Sequence, residues 1–194
     1  MDQLALCKNP SELAAVVICL GANDSWTAIP NCLYDQHVPL IEFEGNMEAI
    51  VNHFIVAGVD GERVILCTPP PYEASAWSRF KKGVEHQTKT NEQVAGYAEA
   101  VRRVALKKRV TLVDIHNAFL SYQPLEELFI DGLHFDRPGA QLFYQKVEPI
   151  VSRLVESSRK TKCLNMPLYR DLPELFIQAK LMDPSGMSKT ENSD

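Results

Sequence analysis

The chain has 194 residues, a formal net charge of −5, 45% apolar residues and 23% charged residues. This size and composition suit a globular domain with a sizeable core. With no long basic run, nucleic acid is not an expected partner, since phosphate binding needs clustered Lys and Arg. No apolar run approaches the ~18 residues required to cross a membrane.

Leu13 to Leu20 is a continuous apolar run centred on Val16-Val17-Ile18 and followed by Gly21-Ala22-Asn23-Asp24. Its length predicts a strand buried on both faces. Met47, Ile50, Val51, Phe54 and Ile55 recur at helical spacing, with Gly58 as the stop. Val64 to Cys67 reads as a second buried strand, ended by Pro69-Pro70-Pro71. Pro71 to about Gln87 reads as a long loop. Val94, Tyr97, Val101, Val104 and Ala105 predict a second amphipathic helix. Val110 to Ile115 is the third strand, and a helical or irregular segment leads on to Asp131. A last helix starts near Pro138 and buries Ala140, Phe143, Val147, Ile150, Val151 and Leu154. Met187 to Asp194 is polar and expected to be disordered.

Strands alternating with helices imply parallel β-α units with right-handed crossovers. Sites in such sheets form beyond the carboxyl ends of the strands. Gly21 to Asn23, Pro69 to Tyr72, and Asp131 with His134 follow the three predicted strands, so all are expected at one edge of the sheet.

The chemistry concentrates there. A carboxylate three residues before a histidine, as in Asp131-Gly132-Leu133-His134, can orient the imidazole and stabilise its charged form. The histidine can then take a proton from a nucleophile. An asparagine just after an apolar strand, as Asn23 is, can aim its amide at a developing oxyanion. Gly21 lets that loop approach a ligand closely, and Asp24 is expected to fix the loop. More general readings stand beside these: an Asp-Gly turn with a solvated histidine, and an Asn-Asp-Ser turn or cap. Ser25 and Cys7 are weak candidates for a nucleophile. Asp114-x-His116, with His37, is a weak metal candidate, because no zinc spacing is present. Trp26 and Tyr72 could line a pocket, or pack as core or rim.

Gly21-Ala22-Asn23-Asp24-Ser25 resembles the third sequence block of the SGNH, or GDSL, hydrolases, and Asp131-Gly132-Leu133-His134 resembles the fifth. The likeness runs from about Val16 to about Val155 and includes Asn46. It is closest to the isoamyl acetate-hydrolysing esterase branch, whose C-terminal segment is also similar to Pro167-Leu168-Tyr169-Arg170-Asp171. The resemblance implies a three-layer α/β/α sandwich, flavodoxin-like, with a parallel sheet in the order 2-1-3-4-5. It implies a serine esterase of short acyl esters, with Asn23 and Gly21 at the oxyanion, His134 as base, Asp131 as its support, and no metal or other cofactor.

The departure is at the front. The family's Gly-Asp-Ser block, which holds the nucleophile, and its second-block glycine have no counterpart here. The chain is therefore expected to supply the last three strands of the fold, in an esterase domain over 1–163 that is truncated at its N-terminus, with a C-terminal extension over 164–194. A shortened isoform, an incomplete gene prediction or a paralogue without its front half would each read this way. The expected chain is either an esterase by lineage, inactive alone, or a non-catalytic binding or regulatory remnant. Leu13 to Leu20 would be an exposed edge prone to self-association. The five cysteines, Cys7, Cys19, Cys32, Cys67 and Cys163, show no framework, and the N-terminus does not read as a signal peptide. Both features favour the cytoplasm.

Overall fold

A computed structural model describes residues 10–27, 36–81, 89–158. The described elements are β1 (Val16–Cys19), α1 (Leu40–Val56), β2 (Val64–Cys67), α2 (Ala74–Lys81), α3 (Asn91–Lys108), β3 (Thr111–Val113), α4 (Ile115–Leu120) and α5 (Arg137–Ser158). Short 3-10 turns cover Pro10–Glu12, Gly61–Arg63 and Leu125–Leu128. The expected extension over 164–194 lies outside the described residues, as do Cys7, Cys32 and Cys163.

The strands form one parallel sheet in the order β1-β2-β3. Val16 pairs with Val64 and Cys19 with Cys67, and Ile65 pairs with Thr111. β2 is central, and all four of its side chains are fully buried. Successive strand residues face opposite sides. Val64 and Leu66 accordingly join a core with Phe43, Met47 and Val51 of α1 and Tyr97, Val101 and Val104 of α3. Ile65 and Cys67 join Ile115, Phe119, Leu128 and Val147 on the other face. The result is a three-layer α/β/α sandwich with a parallel sheet. The Cys67 thiol sits among apolar groups, and its burial pushes its pKa up to about 12.

Several expectations are corrected. The first strand is shorter than Leu13 to Leu20 and is not buried on both faces. It is the edge among the described residues, so Val17 and Leu20 stay 41% and 44% exposed and Ile18 alone is buried. The stretch after Pro71 is not all loop. α2 begins there because the Glu73 carboxylate accepts from the amides of Ser75 and Ala76, satisfying donors that a helix start leaves open. α1 starts at Leu40, and its buried stripe is Phe43, Met47 and Val51, with Ile55 39% exposed. Gly58 does follow that helix, with a φ of 93° that favours glycine. The third strand ends at Val113, because Asp114 caps α4 by accepting from the Asn117 amide. In α5, Ala140 is exposed and Leu142 packs inward instead.

Candidate active site

The segment from Leu128 to Asp136 is a tight hairpin. The Ile130 amide donates to the His134 carbonyl at 2.8 Å, and the Asp136 amide to the Leu128 carbonyl at 3.0 Å. Phe129 and Phe135 form an antiparallel bridge. Within this turn Asp131 is almost enclosed, with a side chain 5% exposed, whereas the His134 side chain is 69% exposed. Asp131 Oδ1 accepts from the amides of Leu133 at 2.9 Å and His134 at 2.8 Å. Asp131 Oδ2 lies 2.7 Å from His134 Nδ1. Burial alone would push the Asp131 pKa up, but the hydrogen bonds from the His134 amide and ring and from the Leu133 amide outweigh it. The carboxyl is therefore held below its ordinary range and stays ionised. An ionised Asp131 makes Nδ1 the donor and leaves Nε2 of the neutral ring to take a proton.

Gly132 makes the turn possible. Its φ is +89°, and a Cβ there would fall 2.2 Å from the Glu73 carbonyl oxygen. The Glu73 amide donates to the Gly132 carbonyl at 3.0 Å. The histidine hairpin is thus fastened to the start of α2.

Gly21 and Asn23 lie in the loop that follows β1. Gly21 has a φ of +107°, and a Cβ would sit 3.2 Å from both Phe43 and Pro69. The Asp24 carboxylate accepts from the Gly21 amide at 3.1 Å, which ties the loop as expected of Asp24. The amides of Ser25 and Trp26 donate to the carbonyls of Gly21 and Asn23, each at 3.2 Å. Asn23 is exposed at the crown of this turn. Ser25 is not available as a nucleophile. It is 1% exposed, and its hydroxyl donates to the Ala22 carbonyl at 3.1 Å.

An aromatic cluster joins the loops beyond β1, beyond β2 and around His134. Trp26, Tyr72 and Val94 are buried together, with Trp77 and Leu133 packed against them. Trp26 and Tyr72 meet edge to face at 5.9 Å, and Trp26 and Trp77 lie 5.3 Å apart. Trp26 and Tyr72 therefore pack on one another as core. Leu133 carries this cluster next to His134 in sequence, and Trp26 carries it next to the Asn23 turn.

Sequence reasoning missed the first turn of α3. Thr90 and Gln93 form a reciprocal capping box. Around it, the Lys89 ammonium donates to the Ala22 carbonyl. Asn91 Oδ1 accepts from the Tyr72 amide at 2.7 Å, and Gln93 donates to the Thr27 hydroxyl at 3.2 Å. The Thr90-x-x-Gln93 spacing was the available signal.

Asp114 and His116 do not converge on a metal. Asp114 forms an ion pair with Arg102 at 3.0 Å and accepts from the Thr68 hydroxyl at 3.1 Å. His116 is buried, with Nδ1 3.3 Å from the Pro69 carbonyl. Burial holds its imidazole below the ordinary value, although the Pro69 carbonyl works the other way. Among the described residues no group of three or more His, Cys, Asp or Glu is placed to hold a metal ion. Nor is any described helix long and apolar enough to cross a membrane. Asn46 is exposed on α1.

Comparison with known proteins identifies relatives of the chain as a whole. The human "isoamyl acetate-hydrolyzing esterase 1 homolog" is 30% identical over 170 residues, covering 87% of this chain and 66% of that protein. The isoamyl acetate-hydrolyzing esterase of Saccharomyces cerevisiae is 28% identical over 150 residues, covering 75% and 60%. The chain thus spans slightly less than two thirds of the length of these relatives. Among solved structures, a lipase/acylhydrolase from Enterococcus faecalis superposes with a TM-score of 0.56 at 23% identity, covering 72% of this chain and 62% of that one. The acetylxylan esterase Axe2 from Geobacillus stearothermophilus gives 0.56 at 21% identity, covering 77% and 62%. These two likenesses support the fold. A family model for the GDSL-like lipase/acylhydrolases matches residues 2–142. The chain belongs to that family.

Proposed function

We propose that this chain carries the proton-shuttling and oxyanion side of a serine ester hydrolase for short-chain acyl esters, and that it does not turn over ester by itself. The observation that carries the reading is the buried Asp131 carboxylate held 2.7 Å from the Nδ1 of an exposed His134. In this mechanism a serine hydroxyl attacks the acyl carbon while His134 Nε2 takes its proton. Asp131 stabilises the imidazolium, and Asn23, on the loop that Gly21 shapes, faces the oxyanion. His134 then returns the proton to the leaving alcohol. None of these groups needs a metal or organic cofactor. The names of the curated relatives support acetate-like esters as the substrate class.

The 194 residues contain no Gly-Asp-Ser block, and Ser25 is buried and bonded within its own loop. The purified chain is therefore expected to hydrolyse p-nitrophenyl acetate no faster than its His134→Ala variant. Clear His134-dependent turnover would overturn the inactive reading. The engagement of Ser25 also favours a second reading, a binding or regulatory protein on an esterase scaffold. That reading predicts short-ester binding without turnover, seen as His134 ring shifts on titration with ethyl acetate.

The same reading extends to surroundings. The flank of β1 that leaves Val17 and Leu20 exposed suits strand addition by a second copy. Sedimentation should show a concentration-dependent dimer, and a monomer at every concentration would remove this element. The scattered cysteines support a cytoplasmic location.

A further inference from the structure

Lys89 is a buried cation at the site that the ester mechanism leaves without a role. It is 6% exposed. Its ammonium lies 4.3 Å from the centre of the Trp26 ring and 5.7 Å from that of Tyr72, and it donates to the Ala22 carbonyl oxygen. A lysine is rarely enclosed this far unless its charge is matched. Here two aromatic faces, one carbonyl and the nearby Asp24 carboxylate do so.

The partner it chooses is informative. The Ala22 carbonyl and the Asn23 amide N–H belong to one peptide group. A trans peptide is planar, so its C=O and N–H point in opposite directions. Fixing the Ala22 oxygen fixes the direction of the Asn23 N–H. A charge-assisted hydrogen bond at the oxygen also draws electron density through the amide and makes its N–H a stronger donor. The Ser25 hydroxyl binds the same oxygen at 3.1 Å, so two donors hold this carbonyl. Among the described residues no group accepts from the Asn23 N–H.

We propose that Lys89 is a positioning residue for Asn23: its ammonium, seated over Trp26, clamps the Ala22 carbonyl and thereby orients and polarises the Asn23 peptide N–H as an anion donor beside the Asn23 side chain. The donor role rests on the oxyanion reading of Asn23, whereas the clamp itself does not. The capping box of α3 holds Lys89 in register, and Asn91 and Gln93 tie the same helix end to the neighbouring backbone of Tyr72 and to Thr27.

The test is amide NMR of the full chain, wild type, Lys89→Met and Lys89→Arg, from pH 6 to 10. Burial brings the Lys89 pKa down to about 8, with Asp24 opposing that shift. Burial pushes the Tyr72 phenol up to about 12, out of the range scanned. The wild-type Asn23 amide proton should therefore move upfield with the Lys89 midpoint, as the ammonium and its polarising charge are lost. Lys89→Arg should keep the low-pH position and abolish the midpoint. Lys89→Met should sit upfield throughout. An Asn23 amide that ignores the Lys89 titration, followed through the lysine Cε resonance, overturns the clamp even if the Met variant fails to fold. Acetate, added at pH 7 to the wild type, separates the two readings. If acetate leaves Asn23 and His134 unmoved while the lysine effect persists, the oxyanion reading falls and the clamp stands.

Discussion

The two loops that frame the candidate site are built in opposite ways. The His134 hairpin is closed mainly by its own atoms: the Ile130–His134 and Asp136–Leu128 backbone bonds, and the three bonds that Asp131 accepts from residues two and three positions away, with the Glu73–Gly132 bond fastening it to α2. The Asn23 turn has short-range bonds too, but distant groups bear on it heavily. Lys89 reaches it across 67 positions and Gln93 across 66, and the Val38 amide donates to the Asp24 carbonyl. One loop carries most of its geometry in its own sequence. The other takes its geometry from the end of a helix, so a change in α3 should be felt there first.

The contrast is tested most severely at the two glycines. An alanine at Gly132 would place its Cβ 2.2 Å from the Glu73 carbonyl oxygen and 2.9 Å from the Trp77 amide, both backbone, at a φ of +89°. Left-handed strain adds about 1 kcal/mol and overpacking about 1–3 kcal/mol. Gly132→Ala should therefore lower stability by roughly 2–4 kcal/mol in urea unfolding. Gly21→Ala meets Phe43 and Pro69 side chains at 3.2 Å, which can give way, so its loss should be smaller. Equal losses would mean that the two loops are not held differently.

Asp131 gives the next effect. Asp131→Ala leaves the Leu133 and His134 amides without their acceptor. With hydrogen bonds to a charged group contributing about 1.5–3 kcal/mol, the expected loss is about 2 kcal/mol at pH 7. The pH dependence has a definite sign. The Asp131 pKa is lowered in the folded chain from an ordinary value of 3.8. Its contribution is present above that value and is lost as the pH falls through the lower folded one. Melts of wild type and Asp131→Asn should therefore differ at pH 6 and converge as the pH falls through the lowered folded value. A constant gap down to the acid limit would show that charge at Asp131 does not stabilise the hairpin.

What was legible in the sequence follows the same division. Asp131 and His134 are three positions apart, so their pairing could be read locally. The four apolar residues of β2 and the stop at Gly58 were equally local. α2 was hidden because Pro69-Pro70-Pro71 suggests a loop and its cap is a glutamate, not one of the preferred Ser, Thr, Asp or Asn. Lys89 was invisible for a different reason. A lysine just before a helix looks like a solvated charge, and only tertiary packing places Trp26 and Ala22 against it. Asp114 was read on a strand reaching Ile115, which in fact ends at Val113, so Asp114 caps α4 and His116 lies within that helix.

The smallest change is the most discriminating between the loops. Thr90 accepts from the Gln93 amide at 3.2 Å, and Gln93 Oε1 accepts from the Thr90 amide at 2.8 Å. Thr90→Ala removes one side of this box, a loss of about 1 kcal/mol. The helix end that frays carries Lys89, Asn91 and Gln93, so the slack should pass to the Asn23 turn and not to the hairpin. A loss of 1 kcal/mol corresponds to about a fivefold change in a local equilibrium. Amide hydrogen exchange at Ser25 and Trp26, which close the Asn23 turn on Gly21 and Asn23, should then quicken by up to about fivefold. Exchange at Ile130 and Asp136, which close the hairpin, should not change. If all four amides quicken together, the aromatic cluster of Trp26, Tyr72, Trp77 and Leu133 couples the loops into one unit, and the division between a self-contained and a dependent half of the site fails.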